Sequence, residues 1–283
     1  MNKNYFSELA GRTCVVTGGA GVIGSSIAEG LADVGLNTVL LDINEELALK
    51  VAGEISSKTG GKVRGIRTDV LDRSSLEEAR EKIHAEFGRV HYLINGAGGN
   101  SPKATTKVEA MDESSKDDWD GTFFGLGMEG FDWVFDLNFK GTLLTSMIIG
   151  RDMVEDGAGA ILNISSMTSY KPLTKVPAYS AAKAAVNNIT EWLAVHLAKT
   201  GVRVNAIAPG FFLTEQNRFL LVDEQTGNMT PRGQKIVANT PMGRYGEVEE
   251  LQGTVLYLLS DLSLFVTGIV VPVDGGYSAF GGV

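Results

Sequence analysis

The sequence predicts an α/β protein: one doubly wound domain across residues 1–283, with a seven-stranded parallel sheet flanked by helices. Three observations predict it. Short apolar runs alternate with helix-length stretches, a glycine-rich turn follows the first run, and no linker, repeat or low-complexity segment divides the chain. Such alternation builds βαβ units whose crossovers cover both faces of a parallel sheet. With 283 residues, 43% of them hydrophobic, the chain has enough apolar material for one large core.

The elements follow in order. Strand Cys14–Thr17 leads to a helix from about Val22 to Val34, and strand Thr38–Leu41 leads to a helix over Glu45–Lys58. Strand Val63–Arg67 precedes a helix carrying Leu76, Ala79, Ile83 and Phe87 on one face, which ends before strand Tyr92–Ile94. Later strands are Ala160–Ile164, Arg203–Ile207 and Ile269–Val273, separated by helices at about Val134–Glu155, Pro177–Thr200 and Val248–Ser260. Two stretches break the rhythm: an insertion at about 99–131 and a loop at about 211–240. Both leave the carboxyl ends of strands, where open α/β sheets hold ligands, so the second is read as a substrate loop. Trp119, Phe123 and Phe124 are expected to pack together beneath the insertion.

Charge narrows the function. Asp plus Glu (34) exceed Lys plus Arg (25), giving a formal net charge of −9. No basic stripe supplies the counterion release that drives nucleic-acid binding, or the attraction to an anionic membrane. The single cysteine, Cys14, cannot form an intrachain disulfide and reads as a buried strand residue, which fits a reducing compartment. Met1–Glu8 contains no apolar leader, and no apolar run reaches membrane-spanning length. The expectation is a soluble cytoplasmic protein whose partner is a small molecule. His84, His91 and His196 are not at metal-ligand spacing, and no metal is expected.

Gly19, Gly21 and Gly24 fit G-x-G-x-x-G between the first strand and first helix. Missing side chains there let backbone N–H groups approach a pyrophosphate at a helix N-terminus. Asp42 ends the second strand 18 residues after Gly24, where a carboxylate accepts from both ribose hydroxyls; the alternative is a helix N-cap. Asp42 would repel a 2′-phosphate and Ile43 offers no compensating arginine, so NAD is favoured over NADP. Tyr179 and Lys183, at i and i+4, share one helix face. A free phenol has a pKa of about 10, and a nearby ammonium together with a cationic nicotinamide ring favours phenolate, moving Tyr179 toward acid–base use.

Ser166 precedes Tyr179 by 13 residues, and Asn138 precedes Ser166 by 28. With the glycine loop, Asn95-Gly-Ala-Gly98 and Asn205-Ala-Ile-Ala-Pro-Gly210, this order resembles the short-chain dehydrogenase/reductase family in its single-domain branch. The resemblance extends through Val273-Asp-Gly-Gly276 and implies a Rossmann-type domain. Tyr179 would exchange a proton with the substrate oxygen, Ser166 would hydrogen-bond that oxygen, Lys183 would bind the ribose, and Asn138 would hold a relay water. The cofactor set implied is Gly18, Gly19, Gly21, Val22, Ile23, Gly24, Asp42, Ile43, Asp69, Val70, Asn95, Gly96, Ala97, Tyr179, Lys183, Pro209, Gly210, Phe212 and Thr214. Of these, Asp69 and Val70 would flank adenine, Asn95 would steady the central strand, and Phe212 and Thr214 would fix the carboxamide end. Val22 departs from the branch, which carries glycine at that position.

The insertion and the Phe211–Arg218 segment look like the sugar-acid reductases of this family; other polyol or keto-acid dehydrogenases are the alternative. Ser166, Tyr179, Asn100 and Arg218 are the substrate-binding candidates, with Lys103 and Gln216 behind them. An NAD-dependent epimerase or a silent nucleotide sensor would use the same fold. The resemblance also implies a homotetramer that pairs the Tyr179 helix and the Val248–Ser260 helix across subunits.

Overall fold

The computed structural model describes residues 3–213, 221–223 and 226–282. Strands β1 (Thr13–Thr17), β2 (Asn37–Asp42), β3 (Val63–Arg67), β4 (Tyr92–Asn95), β5 (Gly159–Ile164), β6 (Val202–Pro209) and β7 (Val270–Val273) are all parallel neighbours. Their spatial order is β3-β2-β1-β4-β5-β6-β7, the doubly wound arrangement expected. Chain order runs outward from β1 and then restarts at β4, so a crevice opens between their carboxyl ends, where Thr17 lies beside Asn95.

Helices α1 (Val22–Asp33), α2 (Glu45–Thr59), α3 (Arg73–Phe87), α4 (Met128–Phe135), α5 (Gly141–Asp156), α6 (Pro177–Leu197), α7 (Pro231–Ala238) and α8 (Gln252–Leu259) complete the described chain. The sheet alternation sends Cys14 and Val16 into a cluster with Ile27, Leu31 and Leu256 of α1 and α8. Val15 faces the other way, among Ile83, Ile149 and Met153 of α3 and α5. Every residue of β1 is buried, as a central parallel strand requires. Burial pushes the Cys14 thiol well above its ordinary range. No described helix is long and apolar enough to cross a membrane.

Four departures from the sequence reading have local causes. The helix expected near Val134–Glu155 is α4 and α5 joined by a π-helical turn at Asp136–Lys140, and it starts inside the stretch read as irregular. Phe131 and Val134 give α4 an apolar stripe that packs on Ala104, Ala178 and Tyr179. The loop at 211–240 contains α7, started by Pro231 after Thr230 accepts from the Gly233 N–H. The last long helix is a 3₁₀ turn, Val248–Leu251, leading into α8. Trp119, Phe123 and Phe124 do contact one another edge to face, at 5.3 and 5.5 Å. They lie 49%, 66% and 67% exposed instead of beneath the insertion, whose short 3₁₀ turns build no core of their own.

Asp152 of α5 is fully buried and anchors α3 to the sheet. It accepts from Arg80 Nε at 2.8 Å and the Val90 N–H at 2.9 Å, and lies 2.5 Å from His84 Nε2. Burial pushes its carboxyl up, but the hydrogen bonds from His84, Val90 and Arg80 prevail and hold it below the usual range. Removing a partner from such a cluster strands the others, so Asp152→Ala should cost about 2–4 kcal/mol, read as a lower urea midpoint with unchanged slope. The wild type's advantage should be full above the unfolded carboxylate pKa of ~3.9 and disappear as pH falls through the lower folded value.

Candidate active site

The crevice at the switch point is a cleft of about 960 Å³ that runs from Asp42 and Ile43, past the glycine loop, to Tyr179, Lys183 and Phe212. The loop is shaped by backbone contact. Gly18 has φ +62°, and a methyl group at Gly24 would stand 2.3 Å from the Gly18 carbonyl oxygen. Gly21 is the N-cap of α1 and brings no side-chain cap, so the first-turn amides from Val22 onward face the cleft without one. Val22 opens the helix and, with Ile23, lines the cleft.

Asp42 is not a helix cap. Asn44 takes that place, accepting from the Leu47 N–H at 3.0 Å. The Asp42 carboxylate accepts instead from the Ala20 N–H of the glycine loop at 3.2 Å and the Asn44 N–H at 3.1 Å. Asp69 and Val70 line the same end, with Asp69 held by the Leu71 N–H at 2.9 Å. Gly96 and Ala97 donate their amides to Thr17 Oγ1 at 3.0 and 3.1 Å, so they offer the cleft backbone surface and no free N–H. Thr17 was missed in the sequence; its signal was a hydroxyl on the last residue of a buried strand. Trp133 and Leu137 also line the cleft, brought there by the unforeseen α4 and π turn.

At the other end, Lys183 is 4% exposed and its Nζ donates to the Ile164 carbonyl at 2.7 Å. That Nζ lies 5.6 Å from the centre of the Tyr179 ring. Burial lowers the Lys183 pKa to about 8. Burial also pushes the Tyr179 phenol above its ordinary value, opposed by the hydrogen bond with Ser166. The phenol's own burial sets this direction and outweighs the Ser166 hydrogen bond. Ser166 is buried and its Oγ accepts from the Thr168 N–H at 3.2 Å.

The π turn brings Asn138 inward. Its Nδ2 donates to the Gly99 and Val134 carbonyls, each at 2.7 Å, and its Oδ1 accepts from the Gly99 N–H at 3.2 Å. Gly210 pins the far rim, donating to the Val273 carbonyl at 2.9 Å, and Phe212 pairs as a β-bridge with Gly246. Asn100 lines the cleft, while its amide donates to Thr105 Oγ1 at 3.0 Å. Lys103 is drawn away to Glu129 at 3.3 Å. Thr214, Gln216 and Arg218 lie outside the described residues. Among the described residues no three metal-ligating side chains gather, and His84, His91 and His196 each have packing partners.

A buried hydroxyl and amine beside a partly buried phenol, at one end of a cleft whose other end is a glycine loop and a carboxylate, suit a nucleotide-dependent oxidoreductase on a doubly wound sheet. The chain belongs to the short-chain dehydrogenase/reductase family, and it is an oxidoreductase of that family. A family model described as enoyl-(acyl carrier protein) reductase matches residues 18–278. An uncharacterized oxidoreductase, UxuB, of Bacillus subtilis (strain 168) is 51% identical over 98% of this chain and 98% of its own. The 2-dehydro-3-deoxy-D-gluconate 5-dehydrogenase of Dickeya dadantii (strain 3937) is 34% identical over 99% and 100%. A crystal structure of a candidate D-mannonate oxidoreductase from Haemophilus influenza with bound NAD superimposes with a TM-score of 0.91, at 47% identity, covering 99% of both chains.

The low pKa of Lys183 has a stability consequence. Its folded value lies below the unfolded lysine value, so its burial costs stability fully below about pH 8 and the cost fades as pH rises toward 10.5. Lys183→Met should therefore stabilise the fold at pH 7 by up to about 3 kcal/mol, a gain that denaturation at pH 10 should find largely gone.

Proposed function

We propose that the protein is an NAD(H)-dependent oxidoreductase interconverting a secondary alcohol and a ketone on a sugar acid, of the D-mannonate/D-fructuronate type. The observation that carries the reading is the continuity of the cleft, with Asp42 and the glycine loop at one end and Ser166, Tyr179 and Lys183 at the other. The residues fit a dinucleotide: the uncapped N-terminus of α1 suits a pyrophosphate, and Asp42 beside the exposed Ile43 suits an unphosphorylated ribose. Held by these residues, a nicotinamide dinucleotide would supply the hydride acceptor or donor.

This chain's residues do the rest. Tyr179 Oη, kept protonated by burial, gives its proton to a ketone oxygen, or takes one from the alcohol in the reverse direction. Ser166 Oγ steadies that same oxygen. Lys183, with Nζ anchored on Ile164, reaches the ribose and supplies positive charge as the phenolate forms. Asn138 fixes the backbone at Gly99 and leaves the turn beside Lys183 able to pass a proton outward through water. The sugar-acid reading draws on the UxuB, dehydrogluconate and D-mannonate relatives. Exposed Trp192 and Val195 on α6, and Leu264 and Phe265 beyond α8, support a homotetramer joined through those two faces, in a reducing cytoplasm that suits the lone buried Cys14.

Two measurements test the reading. D-mannonate with NAD should form NADH, and Tyr179→Phe should lower kcat by about 10²–10⁴ while NADH affinity changes little. Turnover confined to uncharged polyols would overturn the substrate class, and a reaction without net NADH would point to an epimerase. In the second, Asp42→Ala with Ile43→Arg should narrow or invert the preference for NAD over NADP, since an arginine fork can hold the 2′-phosphate. Equal use of both cofactors by the wild type would contradict the role given to Asp42.

A further inference from the structure

Lys175 stands on the bend between Ser166 and α6, four residues before Tyr179. Its φ is +72°, and among the described residues it is the one non-glycine residue with a positive φ. A long side chain is disfavoured in that conformation, where glycine or asparagine would be at ease, and such residues concentrate at ligand sites. The bend is held from outside. Thr106 of the insertion donates its N–H to the Lys175 carbonyl at 2.9 Å, and Ala104 packs on Ala178 and Tyr179 immediately beyond.

The charge around this bend is unlike the rest of the chain. The protein carries a formal −9, yet Lys175, Arg232 and Lys235 all act on one carboxylate, Glu109. Lys235 of α7 is paired with it at 2.5 Å, which ties α7 to the insertion across 126 residues. Neither Lys175 nor Arg232 has an ion pair among the described residues. Arg232 is exposed, whereas Lys175 is partly buried. Among the described residues, Lys103 is engaged by Glu129, Lys171 by the Phe280 carbonyl and Lys183 by the Ile164 carbonyl.

We infer that Lys175 reads the substrate's carboxylate, its ammonium holding the acid end while the hydroxyl-bearing carbon lies against Ser166 and Tyr179. The inference rests on the sugar-acid reading and names the residue that makes it selective. A carboxylate entering the cleft gives up hydration and needs a cation to offset the loss. Lys175 is a partly buried lysine with no ion pair within 4 Å among the described residues, on the segment that leads from Ser166 into the helix of Tyr179. Glu109 is already paired with Lys235, and of the three cations around it only Lys175 is partly buried.

The test compares D-mannonate with D-mannonamide, its uncharged counterpart, on the full-length enzyme with saturating NAD. Lys175→Asn removes the charge and accepts the positive φ; Lys175→Arg keeps the charge. The wild type should favour the acid over the amide by tenfold or more in kcat/KM, mostly through KM. Lys175→Asn should erase that preference with the amide rate within about twofold of wild type, and Lys175→Arg should restore most of it. A Lys175→Asn enzyme that still prefers the acid, or that loses equally on both substrates, overturns the assignment of Lys175 while the sugar-acid reading stands. A wild type that turns over neither compound but oxidises neutral polyols removes both.

Discussion

The side-chain amide of Asn95 is the interaction on which the site's geometry rests. Its Nδ2 donates to Ser146 Oγ and to Asn163 Oδ1, both at 2.8 Å, at the centre of the sheet. From Ser146 the chain of hydrogen bonds runs to the Thr142 carbonyl and, through Thr142 Oγ1, to the Asn138 carbonyl, each at 2.8 Å. From Asn163 it runs to Thr190 Oγ1 and the Val186 carbonyl on α6. The π turn and the helix bearing Tyr179 and Lys183 are thus referenced to the same amide between β4 and β5. The arrangement has a cost: Asn95 Oδ1 is buried with no hydrogen-bond partner among the described residues, a loss of order 1–3 kcal/mol. An apolar residue at 95 would remove that loss and also release both ends of the site from one another.

The sheet was legible in the sequence because parallel strands buried on both faces read as apolar runs. Val63–Arg67 agrees with β3 to the residue, and the other strands agree within two residues at each end. What was not legible shares one physical property: it depends on contacts between segments far apart. The π turn has no signature of its own, since Val134 to Lys140 reads as ordinary helix, and the start of α4 shows only where it meets Ala104 and Tyr179. The capping alternative for Asp42 was locally reasonable and failed only because Asn44, two residues on, caps better while the Ala20 amide claims the carboxylate. A lysine with positive φ announces nothing in sequence, and the Glu109–Lys235 pair joins positions 126 residues apart.

Motif spacing puts Tyr179 and Lys183 on one face of α6, and it leaves out what burial does to their charges. Lysine four residues from tyrosine suggests an acidified phenol. In the folded chain both groups lose water together, and the lysine loses proton affinity while the phenol gains it. The two shifts have one origin, since desolvation penalises whichever form is charged. The pair is therefore poised with little charge on the tyrosine and a readily removed charge on the lysine. A bound dinucleotide would add hydrogen-bond partners beside both, and any that favour the ammonium would through it favour the phenolate.

Several departures from good packing fall together. The buried Lys183, the unpaired Asn95 oxygen, the π turn around Asn138 and the positive φ of Lys175 all fall around the carboxyl ends of β4 and β5. The opposite end of the sheet holds buried charge too, but at Asp152 each oxygen is matched by donors. That contrast separates an anchor from a site. Unmatched groups are tolerated only where the remaining structure is stable enough to hold them, and they are useful only where a ligand can complete them. On that criterion the proposed site takes in, besides the tyrosine, serine and lysine, the insertion's first turn, whose Thr106 and Ala104 hold the bend of Lys175 in place.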